Sequence, residues 1–130
     1  MTDNNYPHNG KDNVVIIKEY FNRIKSKDLD GLLDLFSDDA VIHEPFSRTT
    51  SLVGKTEIRP FLKSVIMANE GLQYEINIER QKTNQLDNLV ALVMFRKGKA
   101  INSRFTFSFE NYYGANSNGK IKSLLIEFVD

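Results

Sequence analysis

The stretch Asp38 to Phe46, DDAVIHEPF, ends an apolar run on an imidazole and a carboxylate, His43 and Glu44, and stops it with Pro45. Such a pair is the raw material of a metal site or of a catalytic dyad. The run reads as a brief strand, because Pro45 lacks an amide donor and biases the residue before it toward extended geometry. Side chains alternate along a strand, so Ala40, Ile42 and Glu44 share one face while Val41 and His43 share the other. The two ionisable groups therefore point apart. With Ile42 on the core side, Glu44 follows it to the rim or the inside of a pocket, and His43 turns outward. The second histidine, His8, lies in the polar N-terminal stretch, and cysteine is absent. Neither a metal site nor disulfide or thiolate chemistry is expected.

A chain of 130 residues with 41% hydrophobic content accommodates a single core. Residues 1–12 are polar, with glycine and proline, and read as a frayed tail; 13–130 read as one domain. Seventeen basic residues balance seventeen acidic ones, so no global field favours nucleic acid or an anionic membrane. A small, uncharged, apolar partner fits better. No run reaches membrane-spanning length, and the N-terminus lacks the basic start and apolar middle of a secretion signal, so a soluble cytoplasmic protein is expected.

The elements that must position Glu44 follow from periodicity. Val14, Ile17, Tyr20, Phe21 and Ile24 recur at helical spacing, predicting a helix from Val14 to Ser26 capped by Asp12 or Asn13. A short second helix begins in DLDGLLDLF, with Asp28 as cap and Leu29, Leu32, Leu33 and Phe36 on one face. SRTTSLVG reads as an irregular connector. A third helix between Gly54 and Ala68 carries Ile58, Phe61, Leu62, Val65 and Ile66, with Pro60 either delaying its start to about Arg59 or distorting its first turn. Beyond Gly71 the pattern turns extended. LQYEINIERQK alternates, NLVALVMFR is a buried-strand run, and KGK at 97–99 is a tight turn. AINSRFTFSF then places Ile101, Ser103, Phe105, Phe107 and Phe109 on one face. After the polar loop NYYGANSNG, KIKSLLIEFVD closes the sheet. Helices followed by an antiparallel meander make an α+β fold, with helices covering one face of a four-stranded, strongly curved sheet and a conical pocket between them.

This order of elements, and above all EYFNRIKSKDLDGLLDLFSDDAVIHEPF followed by GKTEIRPFL, resembles the SnoaL-like and ketosteroid-isomerase-like branch of the nuclear transport factor 2-like superfamily. The resemblance runs from about Val14 to Phe128. It implies a cone-shaped α+β barrel, a homodimer built on the outer face of the sheet, an apolar pocket between sheet and helices, and no cofactor. It further implies roles for two residues. Glu44, before Pro45, matches a base that removes a proton beside a ketone, and Tyr20 matches a tyrosine that hydrogen-bonds the resulting oxyanion. The isomerase also needs a protonated aspartic acid as second donor. Here Phe105 or Phe107 stands in that place, and Phe36 and Leu62 replace two supporting tyrosines. The loss of one oxyanion donor lowers rates by roughly a hundred- to a thousandfold, so steroid isomerisation of the familiar kind is not expected.

Two functions remain. An apolar cone disfavours the charged form of a carboxylate and so tunes it toward a general base. A phenol opposite can donate to an oxygen gaining charge. The first function is accordingly an isomerase, cyclase or dehydratase with Glu44 as base and Tyr20 as donor, in a pocket lined by Phe36, Phe61, Phe105, Phe107, Leu124, Ile126 and Phe128. The second is a dimeric, non-catalytic module that binds a small molecule or a protein partner with the same cone. In that case Tyr20 and the phenylalanines are core residues, and Glu44 is a rim residue paired with Arg48 or Arg59. An epoxide hydrolase would require an Asp–Arg–Asp cluster, which inward-facing positions do not supply. An open cavity reaching Glu44 and Tyr20 favours chemistry; a cone filled with rings favours the second reading.

Overall fold

The computed structural model describes residues 8–45, 51–82, 87–97, 99–110 and 119–129. The first helix, α1 (His8–Lys25), begins earlier than its apolar spacing suggests, so Asp12 and Asn13 lie within it and do not cap it. Residues 8–12 of the expected tail are helical, and 1–7 lie outside the described residues. Ile16, Ile17, Tyr20, Phe21 and Ile24 are its buried stripe, the three- and four-residue spacing that lays side chains along one helix face.

The second helix, α2 (Leu29–Asp34), has six residues, too few to be stable alone. Its neighbours hold it at both ends. The Asp28 carboxylate accepts from the Gly31 amide at 2.9 Å, and Arg23 Nη1 donates to the Gly31 carbonyl at 2.6 Å. At the far end, Ile121 N donates to the Leu35 carbonyl at 2.9 Å and Lys120 Nζ to that of Asp34 at 2.6 Å. Phe36 falls outside α2. It opens the strand β1 (Phe36–His43), which starts four residues before Ala40. Asp38 and Asp39 are exposed residues of this strand.

The expected connector contains a two-residue strand, β2 (Leu52–Val53), while 46–50, with Arg48, lie outside the described residues. Gly54 follows with φ +84°, a left-handed conformation that glycine adopts without strain. It opens α3 (Gly54–Ala68), which continues through Pro60 and buries Ile58, Leu62 and Ile66.

The remaining strands are β3 (Gln73–Lys82), β4 (Asp87–Lys97), β5 (Lys99–Phe109) and β6 (Ile121–Val129). The sheet has six strands, not four, in the order β2-β1-β6-β5-β4-β3. It is antiparallel except for β1 beside β6, which run parallel. A parallel pair needs a long crossover, and everything from α3 to β5 lies between these two strands in the chain. That crossover brings the strand before Glu44 beside the last strand of the protein. The helices pack on one face and the sheet remains open, with β2 and β3 as its edges.

Register sets the interior. Ile42 pairs with Leu124, Leu124 with Phe107, and Phe107 with Leu89, and all four are buried. The next rung joins Ile126, Phe105, Ala91 and Ile78. A Cβ on Gly31 would lie 2.1 Å from Asp28 Oδ2 and displace the cap. Asp28→Ala should therefore destabilise the fold by about 1 kcal/mol. Gly31→Ala should be nearly neutral alone, its gain in helix propensity offset by the lost cap, yet stabilise the Asp28→Ala protein by about 1 kcal/mol. Urea unfolding of the two single variants and the double variant measures this coupling, and strict additivity would contradict the proposed geometry.

Candidate functional site

Tyr20 sits on the buried stripe of α1 with its side chain wholly enclosed. Its ring lies edge-on to Phe21 at 4.9 Å, Phe107 at 5.5 Å, Phe36 at 6.2 Å and Phe105 at 6.3 Å. These distances suit the ring quadrupoles, and each such pair contributes about 0.5–1.5 kcal/mol beyond area burial. Strand alternation makes the enclosure possible: Phe105, Phe107 and Phe109 project from one face of β5 and stack at 6.4 and 6.2 Å. The Tyr20 hydroxyl has no hydrogen-bond partner among the described residues. Burial, and secondarily Tyr74, pushes its ionisation far above the ordinary tyrosine value.

Tyr74, half-buried on β3, solves the same problem differently. Its hydroxyl donates to the Phe21 carbonyl at 3.2 Å, tying α1 to the edge of the sheet. Burial raises its ionisation too. The Tyr74 ring lies 5.8 Å from both Phe21 and Phe95, which extends the aromatic cluster past the residues expected to line it. Phe21 and Tyr74 both stood on correctly read apolar faces, but the bond between phenol and helix carbonyl has no sequence signal. Buried Ser103, donating to the Val93 carbonyl at 3.2 Å, is a second such case.

Of the expected lining, Phe36, Phe105, Phe107, Leu124 and Ile126 are buried, and Phe61 is half-buried against them. Phe128 departs from this set. It is 54% exposed, although Ser103, its partner on β5, is buried. Three surface hollows bounded by described residues lie on the outer sheet face, along α1, and between α1 and β3, and neither Tyr20 nor Glu44 lines them. Rings fill the space around Tyr20.

Glu44 is half-buried just past the end of β1. Ile42 beside Leu124 is the inward position before it, so one rung further Glu44 stands level with Ile126. Two strand spacings, about 10 Å, then separate it from Phe105, with Ile126 between. His43 is exposed and turned away, its Nδ1 2.7 Å from Ser51 Oγ. Arg59, the other expected partner of Glu44, binds Asp30 at 2.9 Å. Among the described residues no cluster of histidine and carboxylates is placed to hold a metal ion, and no helix is long and apolar enough to cross a membrane.

The family model of the SnoaL-like domain matches residues 17–121. Among curated proteins none matches. Solved structures show similar folds. SalBIII, an epoxide hydrolase/cyclase-like enzyme in pyran ring formation of the polyether salinomycin, is 17% identical with a TM-score of 0.70, and the match covers 94% of each chain. A ketosteroid isomerase assigned in Parabacteroides distasonis ATCC 8503 is 17% identical, with a TM-score of 0.67 over 89% of this chain and 84% of that one. The orange carotenoid protein of Anabaena (Nostoc) sp. PCC 7120, binding canthaxanthin, is 20% identical with a TM-score of 0.67; the match takes in 88% of this chain but 35% of that protein. The shared fold is the cystatin-like, nuclear transport factor 2-like α+β fold.

The buried phenol gives a signed expectation. An unfolded tyrosine titrates near pH 10, and Tyr20 does so higher when folded. Its contribution is thus fully present below about pH 10 and is lost as pH rises toward the folded value. Tyr20→Phe should unfold at a higher alkaline pH than the parent, and gain about 1 kcal/mol at neutral pH by removing an unsatisfied hydroxyl. Urea unfolding at pH 7 and circular dichroism through pH 12 measure both, and a clear loss at neutral pH would mean that the hydroxyl is bonded.

Proposed function

The chain belongs to the SnoaL-like domain family, and from that premise we propose that its cone is a binding site for one small apolar molecule carrying a carbonyl oxygen, anchored by the Tyr20 hydroxyl. The observation that carries this is the phenol buried in the aromatic cluster with no hydrogen-bond partner among the described residues. A buried donor left unsatisfied destabilises a fold by about 1–3 kcal/mol, and a carbonyl oxygen brought to it recovers that loss. Phe105, Phe107, Phe36 and Phe21 would have to part to admit the ligand, a cost offset by the contacts that each ring then makes with the guest. Canthaxanthin on the carotenoid protein is consistent with an apolar guest in this fold.

A second reading adds proton abstraction beside that carbonyl, with Glu44 as base. It draws on the half-buried place of Glu44 after Ile42 and on the isomerase and cyclase folds that the chain resembles. It requires the substrate to bridge the breadth of Ile126 and Phe105. The dimer implied by the resemblance would use the outer sheet face, where Leu92, Met94 and Val129 line a hollow of about 410 Å³.

The test uses β-ionone and 1-decalone, with decalin as the control lacking oxygen, and follows binding by tyrosine fluorescence and melting temperature. Both ketones should bind the parent about tenfold more tightly than Tyr20→Phe, the discrimination expected of one buried hydrogen bond. Decalin should not distinguish the two. Equal ketone affinity for both proteins would refute the anchoring role. Deuterium exchange beside the carbonyl, present in the parent and lost in Glu44→Gln, separates catalysis from binding alone.

A further inference from the structure

We infer that the surface hollow between α1 and β3 is a second, independent binding site, for a flat or short apolar body carrying one carboxylate. Lys18, Phe21, Asn22 and Lys25 lie along one side of α1, at the spacing of successive helical turns. They face Tyr74 and Ile76 of β3 across a space of about 300 Å³. That volume is at the small end of ligand sites, enough for two fused rings or a short alkyl chain.

The floor and the rim differ in character. Tyr74 has already committed its hydroxyl to the Phe21 carbonyl, so its ring and that of Phe21, 5.8 Å apart, present carbon surface. Ile76 is 36% exposed beside them, on a strand that is the edge of the sheet, with no further described strand beyond it. The rim is positive. Lys18 and Lys25 are two helical turns apart, about 10 Å, and Lys25 Nζ stands 5.9 Å from the centre of the Tyr74 ring. Neither lysine has an acidic partner among the described residues, whereas the nearby Glu19 is bound by Arg23 at 3.1 Å. An apolar floor under two uncommitted ammonium groups matches an amphiphilic monoanion, not a neutral guest, which distinguishes this site from the interior around Tyr20.

The probes are 2-naphthoate and its neutral isostere 2-naphthamide, added to the full chain and followed by amide nitrogen–proton NMR spectra. Saturable shifts are expected at Lys18, Asn22 and Lys25 on α1 and at Tyr74 and Ile76 on β3, without shifts at Phe36, Phe105 or Phe107, and with the carboxylate bound about fivefold more tightly than the amide, as exposed charge pairs allow. The preference should vanish in the Lys18→Gln/Lys25→Gln variant, whose substitutions are exposed, and shrink in high salt. Tyr20→Phe should leave it unchanged. Equal affinity for acid and amide, shifts confined to the residues around Tyr20, or no saturation would each overturn the inference.

Discussion

The edge-on packing of Tyr20 against Phe105 and Phe107 is the contact on which the architecture turns. It joins the centre of α1 to the middle of β5, and β5 in turn pairs on both sides along nearly its full length. A phenol at this point brings a polar atom into a volume that phenylalanine would fill with no desolvation penalty. That penalty is the physical reason for looking to an acceptor from outside the chain. Tyr74 shows the alternative within the same protein, since its hydroxyl reaches a helix carbonyl, is satisfied internally and becomes a tether.

The same aromatic cluster separates the two places where chemistry could occur. On one side, the crossover that sets β1 beside β6 delivers Glu44 to the end of β1, where it is half-buried. On the other, α1 leans on the edge strand β3 and leaves an amphiphilic notch with lysines above and rings below. Phe21 belongs to both environments, in contact with Tyr20 inside and with Tyr74 at the notch.

Much of this was legible in the chain. Helical spacing through Ile17, Tyr20, Phe21 and Ile24, and alternation through Ser103, Phe105, Phe107 and Phe109, identified the two surfaces that meet in the core, because burial imposes a period on a regular element. Asp28 was readable as a cap for the same local reason. The errors have physical causes as well. Phe36 was assigned to a helix because its spacing from Leu32 is helical, yet the tie from Ile121 to Leu35 ends α2 and sends Phe36 into a strand. Phe128 shares the parity of Leu124 and Ile126 and is nevertheless exposed, since alternation fixes the face of a side chain and not what covers it.

Sequence alone determined which residues are apolar on one side and that helices precede a meander, since each follows from bond geometry over a few residues. Tertiary structure decided the rest: that β1 runs parallel to β6, and that rings close around Tyr20 and leave its hydroxyl without a partner among the described residues. These depend on contacts between residues far apart in the chain, where strand order and packing, not local periodicity, set what meets what.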